Sequence, residues 1–227
     1  MRYLITAGPT REAIDPVRFI SNRSSGTMGY AVARAALAAG HEVTLITGPV
    51  CIAPPEDCEV IPVTSAAEMH RAVAAKIGKC DVAVMVAAVS DFRPVKVAER
   101  KIKKNADCRQ RVLELKLECT EDILGDARGR MGFRGLLVGF AAETDRVEEN
   151  AREKLHSKGC DLIVANDVSI PDIGFDSADN ALILLHANGE REELPRAPKT
   201  ALATELIQRI STLDPDPGRG ASKLKED

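Results

Sequence analysis

The sequence predicts an α/β protein of three layers, in which helices cover both faces of a mostly parallel β-sheet. Three observations carry this. Short apolar runs alternate with helix-forming segments, the pattern that builds parallel sheets buried on both faces. Asn188-Gly189 sits between two strand-like runs and predicts a β-hairpin near the C-terminus. The 227 residues, 44% of them hydrophobic, suffice for one large core. One domain is therefore expected over residues 1–212, followed by a disordered tail over 213–227 that is rich in Pro, Gly and charge.

The first strand is Arg2 to Thr6, ended by the turn residues Ala7-Gly8-Pro9-Thr10. A polar loop follows, and from Met28 the residues Tyr30, Ala31, Val32, Ala35, Leu37 and Ala38 support a helix that Gly40 stops. Glu42 to Thr47 reads as the second strand. Ser65 and Glu68 form a capping-box pattern for a helix to about Ile77, which leads into a third strand, Asp81 to Val86. Val112 to Leu117 alternates like a half-exposed strand, and Leu136 to Phe140 is apolar enough for a buried one. A charged helix is expected from about Asp145 to Lys158, then a strand from Asp161 to Ala165. Ala181 to Leu185 and Glu190 to Leu194 are the arms of the hairpin, and a last helix covers Lys199 to Thr212.

Composition removes several function classes. A net charge of −3 offers no global attraction to nucleic acid. No run approaches the roughly 18 apolar residues of a membrane span, and Met1 leads straight into a strand, so no secretory signal is expected. Cys51, Cys58, Cys80, Cys108, Cys119 and Cys160 are scattered without a C-x-x-C pair, as are the four histidines, which suggests neither zinc nor a disulfide scaffold. Incidental thiols of a cytoplasmic protein are expected.

Asp15 to Gly29 is the most informative segment, because it concentrates anion-binding groups between the first strand and the first helix. Ser24, Ser25 and Gly26 fall where that helix would present unpaired N–H groups and the positive end of its dipole, a site for phosphate. A dinucleotide-dependent oxidoreductase is the obvious alternative. It is disfavoured by the missing G-x-G-x-x-G, by Thr47-Gly48-Pro49 where an acidic residue would hold the ribose, and by Arg34 standing where a lysine would follow Tyr30. Ala87-Ala88-Val89-Ser90-Asp91-Phe92-Arg93-Pro94 leaves a central strand at its carboxyl end, the rim where such sheets bind ligands. Asp91 suits a ribose hydroxyl or a metal there. Lys96 and the basic run Arg100 to Lys104 suit a loop that closes over phosphates.

Several blocks occur in a family's order: Ile5-Thr6-Ala7-Gly8-Pro9-Thr10-Arg11-Glu12, Asp15-Pro16-Val17-Arg18-Phe19-Ile20-Ser21-Asn22 with Ser24-Ser25-Gly26, Ala87-Ala88-Val89-Ser90-Asp91, Lys101-Ile102-Lys103-Lys104, Gly139-Phe140-Ala141-Ala142-Glu143-Thr144 and Ala165-Asn166-Asp167. Over residues 1–212 the chain resembles the bacterial phosphopantothenoylcysteine synthetases, ligases of coenzyme A biosynthesis. The resemblance implies a Rossmann-like (ribokinase-like) sheet and a two-step reaction. The carboxylate of 4′-phosphopantothenate attacks the α-phosphate of CTP to give an acyl-cytidylate and pyrophosphate, and the amine of L-cysteine then displaces CMP. It also implies Mg2+, a homodimer whose partner subunit completes the pocket, and a cytoplasmic enzyme.

Carried over by position, the resemblance makes Asn22 a contact of the acyl-nucleotide, Arg18 a required arginine, and Lys101 the loop lysine that engages phosphates or the intermediate. Met85, Val86, Ala87, Asp91, Phe140, Lys154 and Lys158 are implied nucleotide contacts, as are Glu121, Asp122, Ile123 and Leu124. No metal ligands are implied. Two departures stand out. Glu121 occupies a position where the family commonly has proline, which loosens the turn. The family's flavin-dependent decarboxylase, often fused ahead of the ligase, is expected as a separate polypeptide or as a segment removed from this chain. A non-catalytic nucleotide-binding subunit remains the third reading, opposed by the presence of Asn22 and Lys101.

Overall fold

A computed structural model describes residues 1–103, 112–169 and 177–213. In chain order the elements are β1 (Arg2–Ala7), β2 (Arg11–Ala13), β3 (Phe19–Ser21), α1 (Thr27–Ala38), β4 (Glu42–Thr47), β5 (Glu59–Pro62), α2 (Ala66–Lys76), β6 (Val82–Met85), β7 (Phe92–Pro94) and β8 (Leu117–Cys119). Then come α3 (Ile123–Arg128), β9 (Leu136–Glu143), α4 (Val147–Ser157), β10 (Leu162–Asp167), β11 (Asp179–His186), β12 (Arg191–Pro198) and α5 (Lys199–Ser211).

Eight strands form the main sheet in the order β12-β11-β10-β9-β6-β1-β4-β5. All its pairings are parallel except those of β11, which runs antiparallel to both β10 and β12. The alternation of side chains along each buried strand feeds two cores. Tyr3, Ile5, Val82, Val84, Val138 and Val164 face α1 and α5, which pack on each other. Leu4, Ala83, Met85, Leu137, Ile163 and Ala165 face the opposite layer, where α2, α3 and α4 contribute Met69, Val73, Leu124 and Leu155. The three layers, the mostly parallel sheet and the Asn188-Gly189 hairpin agree with the sequence expectation. The predicted capping box is present: Ser65 Oγ accepts from the Glu68 N–H at 3.2 Å while Glu68 reaches back to the Ser65 N–H.

The structure corrects one strand. Val112 to Leu117 does not form a half-buried strand in the main sheet. Only Leu117–Cys119 is extended and paired, with β7, in a separate two-stranded sheet. Val112, Leu113 and Leu115 are exposed among the described residues, so their alternation has no core to face there. A second small sheet, β2 with β3, lies inside the loop after β1. The expected disordered tail, apart from Leu213, lies outside the described residues, as do Lys104 and Cys108. Among the described residues no helix is long and apolar enough to cross a membrane.

From β1 the chain winds outward through β4 to β5, and from β6 it winds the other way through β9 to β10. The reversal between β1 and β6 opens a crevice at the carboxyl ends of the strands.

Candidate active site

That crevice is a cavity of about 900 Å³. One wall is the segment Asn22 to Gly29, which ends in the first turn of α1. The floor comes from the end of β6 and its exit, Met85 to Asp91. The opposite wall is the turn Cys119 to Leu124 with Phe140 of β9 and Lys154 and Lys158, at and just past the end of α4. Asn166, Asn180 and Lys199 line it as well.

Glycine is what lets α1 come this close. Gly26 takes φ +80° at the N-cap position, where no side chain caps the helix. A Cβ on Gly29 would meet Ala7 Cβ at 2.6 Å, so the helix start rests directly on the end of β1. Thr27, Met28 and Gly29 line the cavity and no side chain caps the helix, an arrangement that suits an anionic ligand.

Asn22 is oriented by the neighbouring wall. Its amide Nδ2 donates to the carbonyls of Ala88 at 2.9 Å and Val89 at 3.1 Å, which spends both donors and leaves Oδ1 as an acceptor at the cavity. The β6 exit is held in turn: Ala87 N–H donates to Thr6 Oγ1 at 3.2 Å and Ser90 N–H to Thr10 Oγ1 at 3.0 Å.

The far wall is tied to the same exit. Thr120 donates its N–H to the Asp91 carbonyl at 3.0 Å and its hydroxyl to the Ser90 carbonyl at 2.6 Å. Glu121 takes the place of the expected proline, and the looser turn is restrained by charge instead. Arg93 Nη1 donates to both Glu121 oxygens at 2.8 and 3.1 Å, and its Nε to Glu118 at 2.9 Å. That contact holds the Glu121 carboxyl below its usual range. Asp122 caps α3 through the Gly125 N–H at 2.9 Å and pairs with Lys158. Burial pushes Asp122 upward, but those two partners outweigh it and the net shift is downward. Lys154 donates to the Phe140 carbonyl at 2.8 Å, and burial lowers its pKa.

Of the residues singled out from sequence, Asn22, Met85, Val86, Ala87, Asp91, Glu121, Asp122, Ile123, Leu124, Phe140, Lys154 and Lys158 all line this one cavity. Arg18 and Lys101 do not. The Arg18 guanidinium is engaged by Asp15 and by the Ile102 carbonyl, and Lys101 is exposed beside it. Sequence reading missed Asn180, Lys199 and the role of Arg93; a lysine 4% exposed at a helix start is visible only once the fold places it. At the end of β4, Thr47 Oγ1 is bonded to the Tyr30 hydroxyl at 3.2 Å, and no carboxylate stands there to hold a dinucleotide ribose. No group of three or more His, Cys, Asp or Glu able to hold a metal occurs among the described residues.

Comparison with known proteins agrees with this arrangement. The family described as DNA/pantothenate metabolism flavoprotein C-terminal domain matches residues 1–213. The coenzyme A biosynthesis bifunctional protein CoaBC of Vibrio vulnificus is 47% identical over 210 residues, 92% of this chain and 52% of that protein. Its counterpart in Bacillus subtilis is 44% identical over 216 residues, 95% of this chain and 52% of that protein. The chain thus spans about half the length of the curated relatives it matches. The crystal structure of the C-terminal domain of a CoaBC protein superposes with a TM-score of 0.76 at 42% identity, covering 92% of this chain and 93% of that one. With its sequence matched from end to end of the folded region and its sheet and helices in the same arrangement, the chain belongs to the DNA/pantothenate metabolism flavoprotein C-terminal domain family.

Proposed function

We propose that this chain is a ligase of coenzyme A biosynthesis that joins 4′-phosphopantothenate to L-cysteine through an acyl-cytidylate, converting CTP to CMP and pyrophosphate. The observation that carries this is the single cavity in which an uncapped helix N-terminus, the fixed acceptor of Asn22 and the α4 lysines surround the implied nucleotide contacts. The names of the relatives place them in coenzyme A biosynthesis.

The chemistry is an exchange of leaving groups. A carboxylate oxygen of phosphopantothenate attacks the α-phosphorus and pyrophosphate departs; the cysteine nitrogen then attacks the acyl carbon, CMP departs and the amine loses a proton. The α1 N-terminus and Lys154 screen converging phosphate charge, and Asn22 Oδ1 accepts an N–H or O–H from the acyl part. Because Asn22 donates only to backbone, its contribution to the site is orientation by acceptance. The cytosine is read by the backbone of Met85 to Ala87 and of Glu121 to Leu124, against the ring of Phe140. Asp91, which lines the cavity and whose carboxylate has no hydrogen-bond partner among the described residues, would hold a Mg2+ ion, and the ion would supply charge neutralisation at the phosphates.

The same reading makes the chain a homodimer in the cytoplasm. It takes the flavin-dependent decarboxylase that consumes the product as a pathway partner. Exposed Val17, Phe19, Phe92, Val95, Val97, Val112, Leu113, Leu115 and Leu117 concentrate on and around the two small sheets, an apolar surface that a second copy would cover.

The test is to incubate the purified protein with 4′-phosphopantothenate, L-cysteine, Mg2+ and either CTP or ATP, following pyrophosphate, nucleoside monophosphate and amide by mass. Product is expected with CTP, and is expected to fall by at least about a hundredfold in folded Asn22→Ala and Lys101→Ala variants. Preference for ATP overturns the nucleotide assignment. Absence of both pyrophosphate and amide from folded dimeric protein overturns the reaction and favours a non-catalytic subunit.

A further inference from the structure

Asp15 has no part in the reaction just described, yet its carboxylate is fully buried. It gathers five donors. Oδ1 accepts from the backbone N–H groups of Val17 and Arg18 at 2.9 Å each. Oδ2 accepts from Arg18 Nε at 3.0 Å, from Arg18 Nη2, and from the backbone N–H of Ile102 at 3.1 Å. Arg18 Nη2 also donates to the Ile102 carbonyl at 2.9 Å. Both backbone groups of Ile102 are thereby fixed by a pair of side chains more than eighty residues away in sequence. A further bond, Ala98 N–H to the Ile14 carbonyl at 3.0 Å, ties the same two segments together.

The peptide unit whose N–H reaches Asp15 is the one joining Lys101 to Ile102. Planarity places the Lys101 Cα in the plane of that N–H, so holding the bond holds the backbone from which the Lys101 side chain extends. We propose that Asp15, acting with Arg18, is a positioning residue that sets Lys101 for its role at the nucleotide phosphates. This rests on the ligase reading above. Arg18 then serves the reaction without meeting substrate, which accounts for a guanidinium that lies off the cavity wall with its fork already occupied. An ionised carboxylate is required. Asn in its place would turn an NH2 toward N–H donors whichever way the amide were flipped.

A double-mutant cycle between Asp15→Asn and Lys101→Ala tests this, with kcat and KM for CTP read from CMP formation. Asp15→Asn is expected to lower kcat by about tenfold to a hundredfold and to leave KM for CTP within about twofold. In the Lys101→Ala background the same substitution is expected to cost less than about twofold. Equal losses in both backgrounds, or an unchanged kcat in Asp15→Asn, would overturn the proposal. If Asp15→Asn loses its cooperative thermal transition, Arg18→Lys takes its place, since it keeps the charge but not the reach to Ile102. Amide exchange of the peptide covering 98–103, measured by mass spectrometry, is expected to quicken at least about tenfold in either variant. Unchanged exchange overturns the clamp whether or not the wild-type protein ligates anything, whereas quickened exchange in an inactive wild-type protein faults only the ligase reading.

Discussion

Lys154 shows how a commonplace helix lysine becomes part of a site. The sequence places it on a charged helix, where an exposed face is the ordinary reading, but the fold turns it inward to the Phe140 carbonyl and desolvates it. Its folded-state pKa lies below its unfolded value, so between the two the unfolded chain binds more protons and stability rises with pH. A phosphate at the cavity restores the charged form. Nucleotide binding between the lowered pKa of Lys154 and the ordinary lysine value is therefore expected to take up a fraction of a proton and to weaken as pH rises further. Calorimetry of CTP binding in buffers of different ionisation enthalpy measures this, and equal heats in all buffers would contradict it. Asn22, Asp91 and Phe140 are found from sequence because each lies in a contiguous block that carries the family resemblance, and the structure brings all three to one cavity. Asn180 and Lys199 are not, since only the antiparallel return of β11 and β12 brings them back to the rim. The bond from Arg18 to the Ile102 carbonyl is not legible either, because the fold alone sets those two residues side by side.

Elements with a buried face are readable from pattern: β1, β4, β6, β9 and β10 alternate between two cores, and α2 announces its start with a capping box. The three-residue strands β2, β3, β7 and β8 are not, since three residues hold too little periodicity and no core selects their register. What joins elements is also hidden from pattern. Arg128, at the end of α3, donates to the carbonyls of Gly159 at 3.1 Å, Phe133 at 3.1 Å and Gly135 at 2.8 Å, and pairs with Asp161, which itself accepts the Leu137 N–H at 2.7 Å. One guanidinium thus fixes α3 to the starts of β9 and β10. The pair is 14% and 8% exposed, so removing one member strands a charge away from water. Arg128→Ala is expected to cost about 3 kcal/mol, seen as a fall of about 1 M in the urea midpoint. A midpoint shift below about 0.3 M would mean that solvent replaces the clip without penalty.

At the scale of the whole molecule the fold is the most legible property, because alternating strands and helices admit few arrangements once the sheet must be covered on both faces. Its boundary is the least legible: the same apolar residues that fail to make a half-buried strand form an exposed surface among the described residues. Sedimentation is expected to show two chains per particle, and Val95→Asp with Val97→Asp is expected to give single chains that retain the helical and sheet content of the parent. A particle of one chain in the parent would remove the dimer. Phe92 belongs to both places at once, lining the cavity from β7 while standing half exposed beside Val95. In the dimer proposed above, self-association and substrate capture would share this side chain. Turnover per chain should fall on dilution below the dissociation constant of the pair, and saturating nucleotide should restore part of it by drawing chains back together.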